Sequence, residues 1–396
     1  MLSVEQALEK LLAAAKQVTQ TGSVDTMHAA GRVLAADVVS SVDVPPLDNS
    51  QMDGYAVRTA DVTSAPTTLR VSQRIAAGQV GATLEPHTAA RIFTGAPIPQ
   101  GADAVIMQEK CTLNGDSVTL NEVPPRGEAI RYIGIDIARG STVLKQGVRL
   151  KPQDCALAAS TGAAQLTVYR KLRVATLFTG DELVMPGEPL PPGSIYNSNR
   201  FMLRGLLESL GCEVHDLGIV PDDLQRTREA LVRAADAADL IISSGGVSVG
   251  EEDHVKPAVQ AEGSLDLWQI AMKPGKPLAF GFVRDVPFIG LPGNPVSSFV
   301  TFTLFARPFI MRSQGRADST RTLQLRADFD WLQSSRRREF LRARLNERNG
   351  LDVFPNQNSS VLTSVVWADG LIDNPAEQLI HSGDVVRFLP FSELQS

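Results

Sequence analysis

The sequence predicts a multidomain chain built around a doubly wound α/β domain, with a β-rich domain before it and a β-domain after it. Three observations lead to this class. The chain has 396 residues, and at about 100–200 residues per domain it holds two to four domains. Apolar strand-like runs alternate with amphipathic helical patterns over residues 170–312. Short β-like runs broken by Gly and Pro fill residues 46–140.

Charge and cysteine content exclude several classes of protein. Thirty-eight Lys and Arg against 44 Asp and Glu give a net charge of −6, whereas nucleic-acid-binding proteins normally carry a basic surplus. Cys111, Cys155 and Cys212 lie far apart and form no zinc-type CxxC pair. Uncharged apolar stretches of about 18 residues are absent. We therefore expect a cytoplasmic protein in a reducing compartment, with no nucleic-acid partner and no membrane contact.

The first 45 residues begin with a helix and continue as extended chain. Leu8, Leu11 and Leu12 recur at helical spacing, and charges at Glu5 and Glu9 favour an amphipathic helix over a signal peptide. In the β-rich part we expect strands at 69–72, 91–93, 104–108 and 117–120, and residues 152–165 return to an Ala-rich helical pattern.

The central region alternates strands and helices. Strands are expected at 172–178, 213–217, 239–243 and 286–289, with helices at 201–210, from Asp222 or Asp223 to about 235, and at 297–311. This alternation predicts a parallel, doubly wound sheet. From about residue 320, period-two runs at 323–328, 339–345, 351–354 and 385–389 predict a terminal β-domain.

Glycine-rich loops follow three of the predicted strands, at 179–182, 244–253 and 290–295. One such loop alone is explained by a tight turn that needs glycine. Three loops at the carboxyl edge of one sheet favour a ligand site, because ligands of open α/β sheets bind there. The segment KPGKP adds the cations Lys273 and Lys276, which suit phosphate or another oxyanion.

Carboxylates of the Mg²⁺-binding type accompany these loops. They are Asp181, Glu182, Asp222 and Asp253. An N-cap role explains Asp222 equally well. The loops around Asp53 and Thr94 carry Asp-Gly and Thr-Gly pairs, which alone indicate only turns.

Six motifs occur in a fixed order over nearly the whole chain. They are MDGYA from Met52, FTGAPIPQGADAV from Phe93, TGDEL from Thr179, SGGVSVG from Ser244, KPGKP from Lys273 and GLPGNPVS from Gly290. The ordered set resembles the MoeA family of molybdopterin molybdenumtransferases, which includes the gephyrin E domain. The resemblance implies four parts: a discontinuous helical domain (1–45 plus 141–169), an inserted β-rich domain (46–140), a molybdopterin-binding α/β domain (170–312) and a C-terminal β-domain (313–396).

The resemblance also implies a reaction, the last step of molybdenum cofactor synthesis. Adenylylated molybdopterin and molybdate bind, the phosphoanhydride is hydrolysed with the help of Mg²⁺, and AMP and the molybdenum cofactor leave. Family members are homodimers whose active site lies between the α/β domain of one subunit and the β-rich domain of the other. Docking to a molybdopterin adenylyltransferase or to molybdoenzymes is a further expectation.

Site residues follow from the motifs and from the chemistry of the loops. Catalytic roles are expected for Asp53, Asp136, Glu182 and Asp253, and metal binding for Glu182, Asp222 and Asp253. The expected substrate-binding residues are Thr94, Arg131, Thr179, Ser244, Gly245, Gly246, Lys273, Lys276, Pro292, Asn294, Pro295, Arg342 and Ser359.

Three positions depart from the family pattern: Ile135 replaces an acid, Gln269 a lysine and Asn358 a glycine. These departures keep open a catalytically weakened paralogue that binds or delivers the cofactor. A molybdopterin adenylyltransferase is a second alternative, which the additional β-domains disfavour. A non-enzymatic scaffold is disfavoured by the lack of a long linker or fused domain.

Overall fold

The computed structural model describes residues 1–246, 254–316 and 320–394. The chain forms two compact units. The β unit consists of Ser23–Ala30 and Leu34–Thr167. The α/β unit consists of Met1–Gly22, Gly31–Val33 and Val168–Ser396.

The helices and strands follow one another in this order. Up to residue 169 they are α1 (Val4–Ala13), β1 (Thr21–Asp25), β2 (Val38–Val39), β3 (Asn49–Ser50), β4 (Gly54–Val57), β5 (Thr67–Ile75), β6 (Thr88–Ile92), β7 (Ala104–Met107), β8 (Cys111–Asn114), β9 (Ser117–Leu120), β10 (Ile130–Arg131), β11 (Thr142–Leu144), α2 (Pro152–Ser160) and β12 (Gln165–Tyr169). Over residues 170–316 they are β13 (Arg173–Thr179), β14 (Leu183–Val184), β15 (Ile195–Tyr196), α3 (Ser198–Ser209), β16 (Glu213–Val220), α4 (Leu224–Ala237), β17 (Leu240–Ser244), α5 (Val255–Glu262), β18 (Gly263–Gln269), β19 (Met272–Lys273), β20 (Pro277–Val283), β21 (Val286–Leu291), α6 (Pro295–Thr301), a π-helical turn (Phe302–Ala306) and α7 (Arg307–Ser313). The remainder contains β22 (Leu323–Arg326), β23 (Arg338–Leu345), β24 (Leu351–Val353), α8 (Thr363–Trp367), β25 (Gly370–Asn374), β26 (Val385–Pro390) and α9 (Phe391–Leu394).

The β unit is organised by a six-stranded sheet in the order β7-β4-β6-β5-β9-β8. Strand β4 lies inside this sheet, and all four of its residues are buried. A Cβ at Gly54 would lie 2.0 Å from the Ile106 carbonyl oxygen, so glycine is required for the two backbones to pair here. Apolar clusters cover both faces, one around Val57 and Ile106 and the other around Ile75 and Ile92.

The central sheet of the α/β unit has the order β16-β13-β17-β21-β20-β18. The first four strands are parallel, as predicted. The prediction of an entirely parallel sheet is wrong, because β20 pairs antiparallel with both of its neighbours, β21 and β18. The two-residue turn Arg284-Asp285 joins β20 to β21, and a parallel neighbour would need a crossover of a dozen residues or more.

Helices cover both faces of this sheet, which confirms the doubly wound class. Leu203 of α3 and Phe299 of α6 belong to the apolar cluster on one face. Leu231 of α4 and Val259 of α5 belong to the cluster on the other. The predicted helix at 297–311 runs as α6, the π-helical turn and α7.

Local signals explain where the helices of the sheet begin and end. The Asn197 side chain accepts a hydrogen bond from the Arg200 N–H at the start of α3. The helix ends before Gly211, whose φ is +78°. At α4 the cap is Asp223, which accepts from the Arg226 N–H. The capping explanation considered for Asp222 is therefore wrong.

The terminal strands form a second sheet in the order β19-β23-β25-β26-β22. All four predicted strands are present, and β25 and α8 are additional. Strand β19 comes from the KPGKP segment and pairs in parallel with β23, so Lys273 lies opposite Glu339. In the described part of the chain, no helix has the length and apolar character that crossing a membrane requires.

Candidate functional site

A cavity of about 830 Å³ opens at the carboxyl ends of β13, β17 and β21. We call it the strand-end cavity. Its volume is in the usual range for small-molecule sites. The lining residues are Phe178, Thr179, Gly180, Glu182, Leu183, Ile195, Tyr196, Asn197, Ser198, Asn199, Asp222, Ser244, Gly245, Gly246, Pro277, Pro292, Gly293, Asn294, Pro295, Ser360 and Leu362. Nine sequence-predicted residues are in this set: Thr179, Glu182, Asp222, Ser244, Gly245, Gly246, Pro292, Asn294 and Pro295.

Glycines allow the loops of this cavity to pack backbone against backbone. Gly245 and Gly246 have φ values of +95° and +65°, in the left-handed region that glycine favours. A Cβ at Gly245 would lie 2.7 Å from the Thr179 carbonyl oxygen, and one at Gly246 would lie 2.7 Å from Thr179 Oγ1. The tight-turn and ligand-site explanations of these glycines are therefore compatible: the turns are real, and they shape a cavity.

Asn199 connects two of the glycine loops. Its Nδ2 donates to Ser244 Oγ at 2.9 Å and to the Gly293 carbonyl at 2.7 Å. Ser244 Oγ donates in turn to the Pro292 carbonyl at 3.3 Å. Sequence reasoning missed Asn197 and Asn199. The sequence signal for these residues was the Asn-Ser-Asn segment at the start of α3, which directly follows the strand-like residues Ile195 and Tyr196.

The acidic side of the cavity is formed by Glu182 and Asp222. Asp181 and Asp222 are joined by two backbone-to-carboxylate hydrogen bonds of 3.1 Å, one in each direction. The third predicted metal ligand, Asp253, lies outside the described residues. Among the residues that are described, no group of three His, Cys, Asp or Glu could hold a metal ion.

The basic loop is partly engaged in an ion pair. Lys273 Nζ lies 3.0 Å from Glu339 Oε1. Glu339 is only 2% exposed, and its other oxygen accepts from Trp331 Nε1 at 2.9 Å. Lys273 therefore neutralises a buried carboxylate. Lys273 and Lys276 are not among the described residues that line the cavity, although the neighbouring Pro277 is.

Arg342 is a buried cation beneath the segment that leads to Ser360. It is 1% exposed and donates to Ser364 Oγ at 3.1 Å, to the Phe340 carbonyl at 3.2 Å and to the Asn358 carbonyl at 3.4 Å. Burial lowers the pKa of Arg342 to about 10. Within the described residues, none of its partners is a carboxylate.

Ser359 is the other predicted residue of this segment. Its carbonyl accepts from the N–H of Val296 at 3.0 Å. The segment therefore joins the arginine to the wall of the cavity.

In the β unit, Asp53 and Thr94 are in direct contact. Asp53 Oδ1 accepts from both the N–H and the Oγ1 of Thr94, each at 2.8 Å. The backbone hydrogen bond from Thr94, followed by that from its hydroxyl, lowers the pKa of Asp53 below its ordinary value. Asp53 is therefore ionised at neutral pH and poorly suited to donate a proton.

The remaining predicted residues of the β unit lie elsewhere on it. Arg131 pairs with Asn49 across β10 and β3, and its Nη1 donates to Asn49 Oδ1 at 3.4 Å. Asp136 is exposed, and its N–H donates to the Val44 carbonyl at 3.1 Å. The neighbouring Ile135 is 62% exposed.

Comparisons with known proteins agree with this architecture. Three family models match: the MoeA N-terminal region (domains I and II) at residues 2–162, a probable molybdopterin binding domain at 175–312, and the MoeA C-terminal region (domain IV) at 324–391. The chain is 46% identical to a molybdopterin molybdenumtransferase of Haemophilus influenzae over 80% of this chain and 78% of the relative. It is 38% identical to molybdopterin molybdenumtransferase 2 of Mycobacterium tuberculosis over 99% of this chain and 97% of the relative.

A solved structure extends the similarity to three dimensions. The molybdopterin biosynthesis MoeA protein of Pyrococcus horikoshii OT3 superposes with a TM-score of 0.85 at 29% identity, covering 98% of this chain and 100% of that one. The fold and the sequence together define a multidomain protein of the molybdopterin-binding class. The chain belongs to the MoeA family, and the resemblance drawn from its motifs is confirmed.

Proposed function

We propose that this protein is the transferase that inserts molybdenum into adenylylated molybdopterin and releases AMP. The observation that carries the proposal is the strand-end cavity, in which the TGDEL motif, the first three residues of the SGGVSVG motif and the GLPGNPVS motif meet. The relatives that are similar over most of the chain are named molybdopterin molybdenumtransferases. Hydrolysis of the adenylyl group and dependence on Mg²⁺ are the finer parts of the proposal.

The cavity suits a long ligand with an anionic centre. Glycine backbone at Gly245 and Gly246 permits close approach of phosphate or another oxyanion. A buried guanidinium at Arg342 supplies positive charge that water screens weakly, because the side chain is almost fully buried. We assign Arg342 to the positioning and attraction of molybdate rather than to direct contact. The other predicted substrate-binding residues keep that role as proposals.

The donor set of the cavity fits Mg²⁺ held partly by substrate. Mg²⁺ is commonly bound by one or two carboxylates, with phosphate oxygens and water completing its coordination. Glu182 and Asp222 would provide these carboxylates, and Asp253 is proposed as a third. When bound, the metal would act as a Lewis acid on the phosphoanhydride.

The ionised state of Asp53 narrows its role. A carboxylate with a lowered pKa accepts hydrogen bonds or interacts with cations, and it is a weak proton donor at neutral pH. We infer that Asp53 orients a reacting water as a hydrogen-bond acceptor, with Thr94 fixing its rotamer. Asp136 keeps its proposed catalytic role, and Arg131 keeps its proposed role in substrate binding.

We infer that the active enzyme is a homodimer in which Asp53 and Thr94 of one copy complete the strand-end cavity of the other. This inference rests on the family resemblance. We also place the enzyme in the cytoplasm, since Cys111, Cys155 and Cys212 are all free thiols. Docking of an adenylyltransferase or an apo-molybdoenzyme remains part of the proposal.

The second candidate is a cofactor-binding paralogue with weakened activity. The observation that favours it is Ile135, because an exposed isoleucine occupies the position of an acid in the motif. An exposed side chain can change without loss of packing, so this departure affects only the chemistry of the surface.

Reconstitution from defined components tests the proposal. Purified protein is mixed with adenylylated molybdopterin, Mg²⁺ and molybdate, and active cofactor is measured by reactivating an apo-molybdoenzyme. We expect cofactor formation by the natural chain, strong loss in Glu182→Gln, and retention in Glu188→Gln, which makes the same substitution outside the described lining of the cavity. Tight binding of the pterin without cofactor formation would support the paralogue instead.

A further inference from the structure

Three residues of the strand-end cavity carry a buried polar atom that has no hydrogen-bond partner among the described residues. The atoms are Thr179 Oγ1, Asn197 Nδ2 and Asn199 Oδ1. The three side chains are at least nine-tenths buried, with exposures of 6%, 2% and 9%. Buried polar groups are almost always paired in folded proteins, so three such atoms around one cavity are positioned to pair with a bound molecule.

The hydrogen bonds that these asparagines do make fix the orientation of both amides. Asn199 Nδ2 donates to the Gly293 carbonyl, which can only accept. Its remaining atom, Oδ1, is therefore an acceptor. Asn197 Oδ1 accepts from the Arg200 N–H, which can only donate. Its remaining atom, Nδ2, is therefore a donor, and the cavity presents one donor and one acceptor from side chains two residues apart.

This pattern restricts the chemistry of the ligand. Fully ionised phosphate and molybdate oxygens only accept hydrogen bonds, so they cannot satisfy Asn199 Oδ1. Apolar side chains line the same cavity, among them Phe178, Leu183 and Ile195. A flat heteroaromatic ring combines apolar faces with an edge that both donates and accepts.

We propose that Asn197 and Asn199 determine specificity by binding the hydrogen-bonding edge of a heteroaromatic ring of the substrate. Asn197 donates to a ring nitrogen or carbonyl, and Asn199 accepts from a ring N–H or an amino group. The inference rests on the proposed function, whose substrate has two such rings, the pterin and the adenine. Both present an amino group beside an acceptor.

Substitution of Asn197 tests the proposal, because its Oδ1 caps α3 whereas its Nδ2 is the proposed donor to the ligand. Asn197→Asp keeps the capping oxygen for α3, and Asp and Asn are about equally good caps. The substitution converts the unpartnered Nδ2 donor into an acceptor. Asn114→Asp is the matched control: it makes the same substitution at an exposed position of β8, outside the described lining of the cavity.

Affinities of pterin and of AMP are measured by calorimetry on the full-length protein without molybdate. We expect Asn197→Asp to weaken the binding of at least one of these ligands by about tenfold or more relative to Asn114→Asp, as the loss of a desolvated hydrogen bond requires. Loss confined to pterin assigns the pair to the pterin edge, and loss confined to AMP assigns it to adenine. Asn197→Ser, which keeps a cap without added charge, is expected to show the same ligand preference.

Two results would overturn the proposal. One is equal affinity of Asn197→Asp and Asn114→Asp for both ligands, with melting temperatures that show both variants folded. The other is failure of the natural protein to bind either ring. Because binding is measured without molybdate, a protein that binds a ring but forms no cofactor would refute the proposed function and leave this assignment standing.

Discussion

Replacement of Arg342 by methionine separates the stability of the fold from the binding of oxyanions. The side chain is among the largest fully buried ones of the described residues. Ordinary reasoning from burial would expect severe destabilisation when such a residue is changed. The structure predicts otherwise, because the guanidinium is buried among neutral partners. Methionine retains most of the apolar stem while it removes the charge.

The expected change in stability follows from two opposing contributions. Burial lowers the pKa of Arg342 to about 10, which corresponds to an unfavourable free energy of about 3 kcal/mol for its charged form. Three hydrogen bonds to neutral groups contribute about 1 kcal/mol each. The two contributions nearly cancel. We therefore expect Arg342→Met to change the free energy of unfolding by less than about 1 kcal/mol.

Oxyanion binding is expected to respond much more strongly. An anion within about 10 Å of a guanidinium gains about 1.7 kcal/mol at an effective dielectric constant of about 20. Loss of that attraction lowers molybdate affinity and the rate of insertion at limiting molybdate by about an order of magnitude. Arg344→Met is the matched control, since Arg344 is an exposed cation on the same strand and lies over the Trp367 ring at 4.4 Å.

Urea denaturation and molybdate titration of the natural protein, Arg342→Met and Arg344→Met measure the two effects separately. The account predicts nearly equal unfolding midpoints for Arg342→Met and the natural protein, with weakened molybdate binding only in Arg342→Met. A loss of more than about 3 kcal/mol in the free energy of unfolding, together with unchanged molybdate affinity, would show that Arg342 is structural and does not attract the oxyanion.

Three further predictions concern single carboxylates and lysines. Asp53→Asn should reduce molybdenum insertion by about a hundredfold or more while gel filtration shows an unchanged oligomeric state, since the side chain is part of the proposed site and not of a core; an unchanged insertion rate would contradict its role. Lys276→Ala should weaken the binding of adenylylated molybdopterin by about tenfold with little change in melting temperature. Lys273→Ala should lower the melting temperature, because it removes the ion-pair partner of the buried Glu339; the reverse pattern would exchange the roles of the two lysines. Although burial raises the pKa of Asp239, hydrogen bonds from two arginines lower it to about 2. The stabilisation that Asp239 contributes is therefore present above the unfolded-state pKa near 4 and is lost as the pH falls toward 2. Asp239→Asn should flatten the dependence of stability on pH over this window, and an unaltered slope would show that Asp239 does not contribute to acid unfolding.

Periodicity and turn chemistry in the sequence predicted the elements that position the site. The buried runs at β13, β17 and β21 and the loops that follow them were recognisable because parallel strands are apolar throughout and end in glycine. Strands β18 and β20 were missed. The pairing of β20 with β21 depends on the tight turn at Arg284 and Asp285, which carries no glycine signal. Arg284 has a positive φ of 53°, a backbone conformation that is unfavourable for a residue other than glycine. The surrounding sheet imposes this conformation, so the sequence alone does not reveal it.

Individual site residues were predictable to different degrees. Thr179, Ser244 and the glycines followed from the loops themselves. The pairing of Lys273 with Glu339 was not visible, because the two residues are 66 positions apart and meet only through the parallel ladder of β19 and β23. The buried amides of Asn197 and Asn199 were also invisible, since only the folded structure shows which of their atoms lack partners.

The proposed coupling of hydrolysis to metal insertion is tested by measuring AMP release from adenylylated molybdopterin in the presence of Mg²⁺, with and without molybdate. The account predicts that AMP is released on addition of molybdate and in step with the formation of active cofactor. AMP release at the same rate without molybdate, or its absence in a protein that binds the adenylylated pterin tightly, would contradict the claim that this cavity couples hydrolysis to metal insertion.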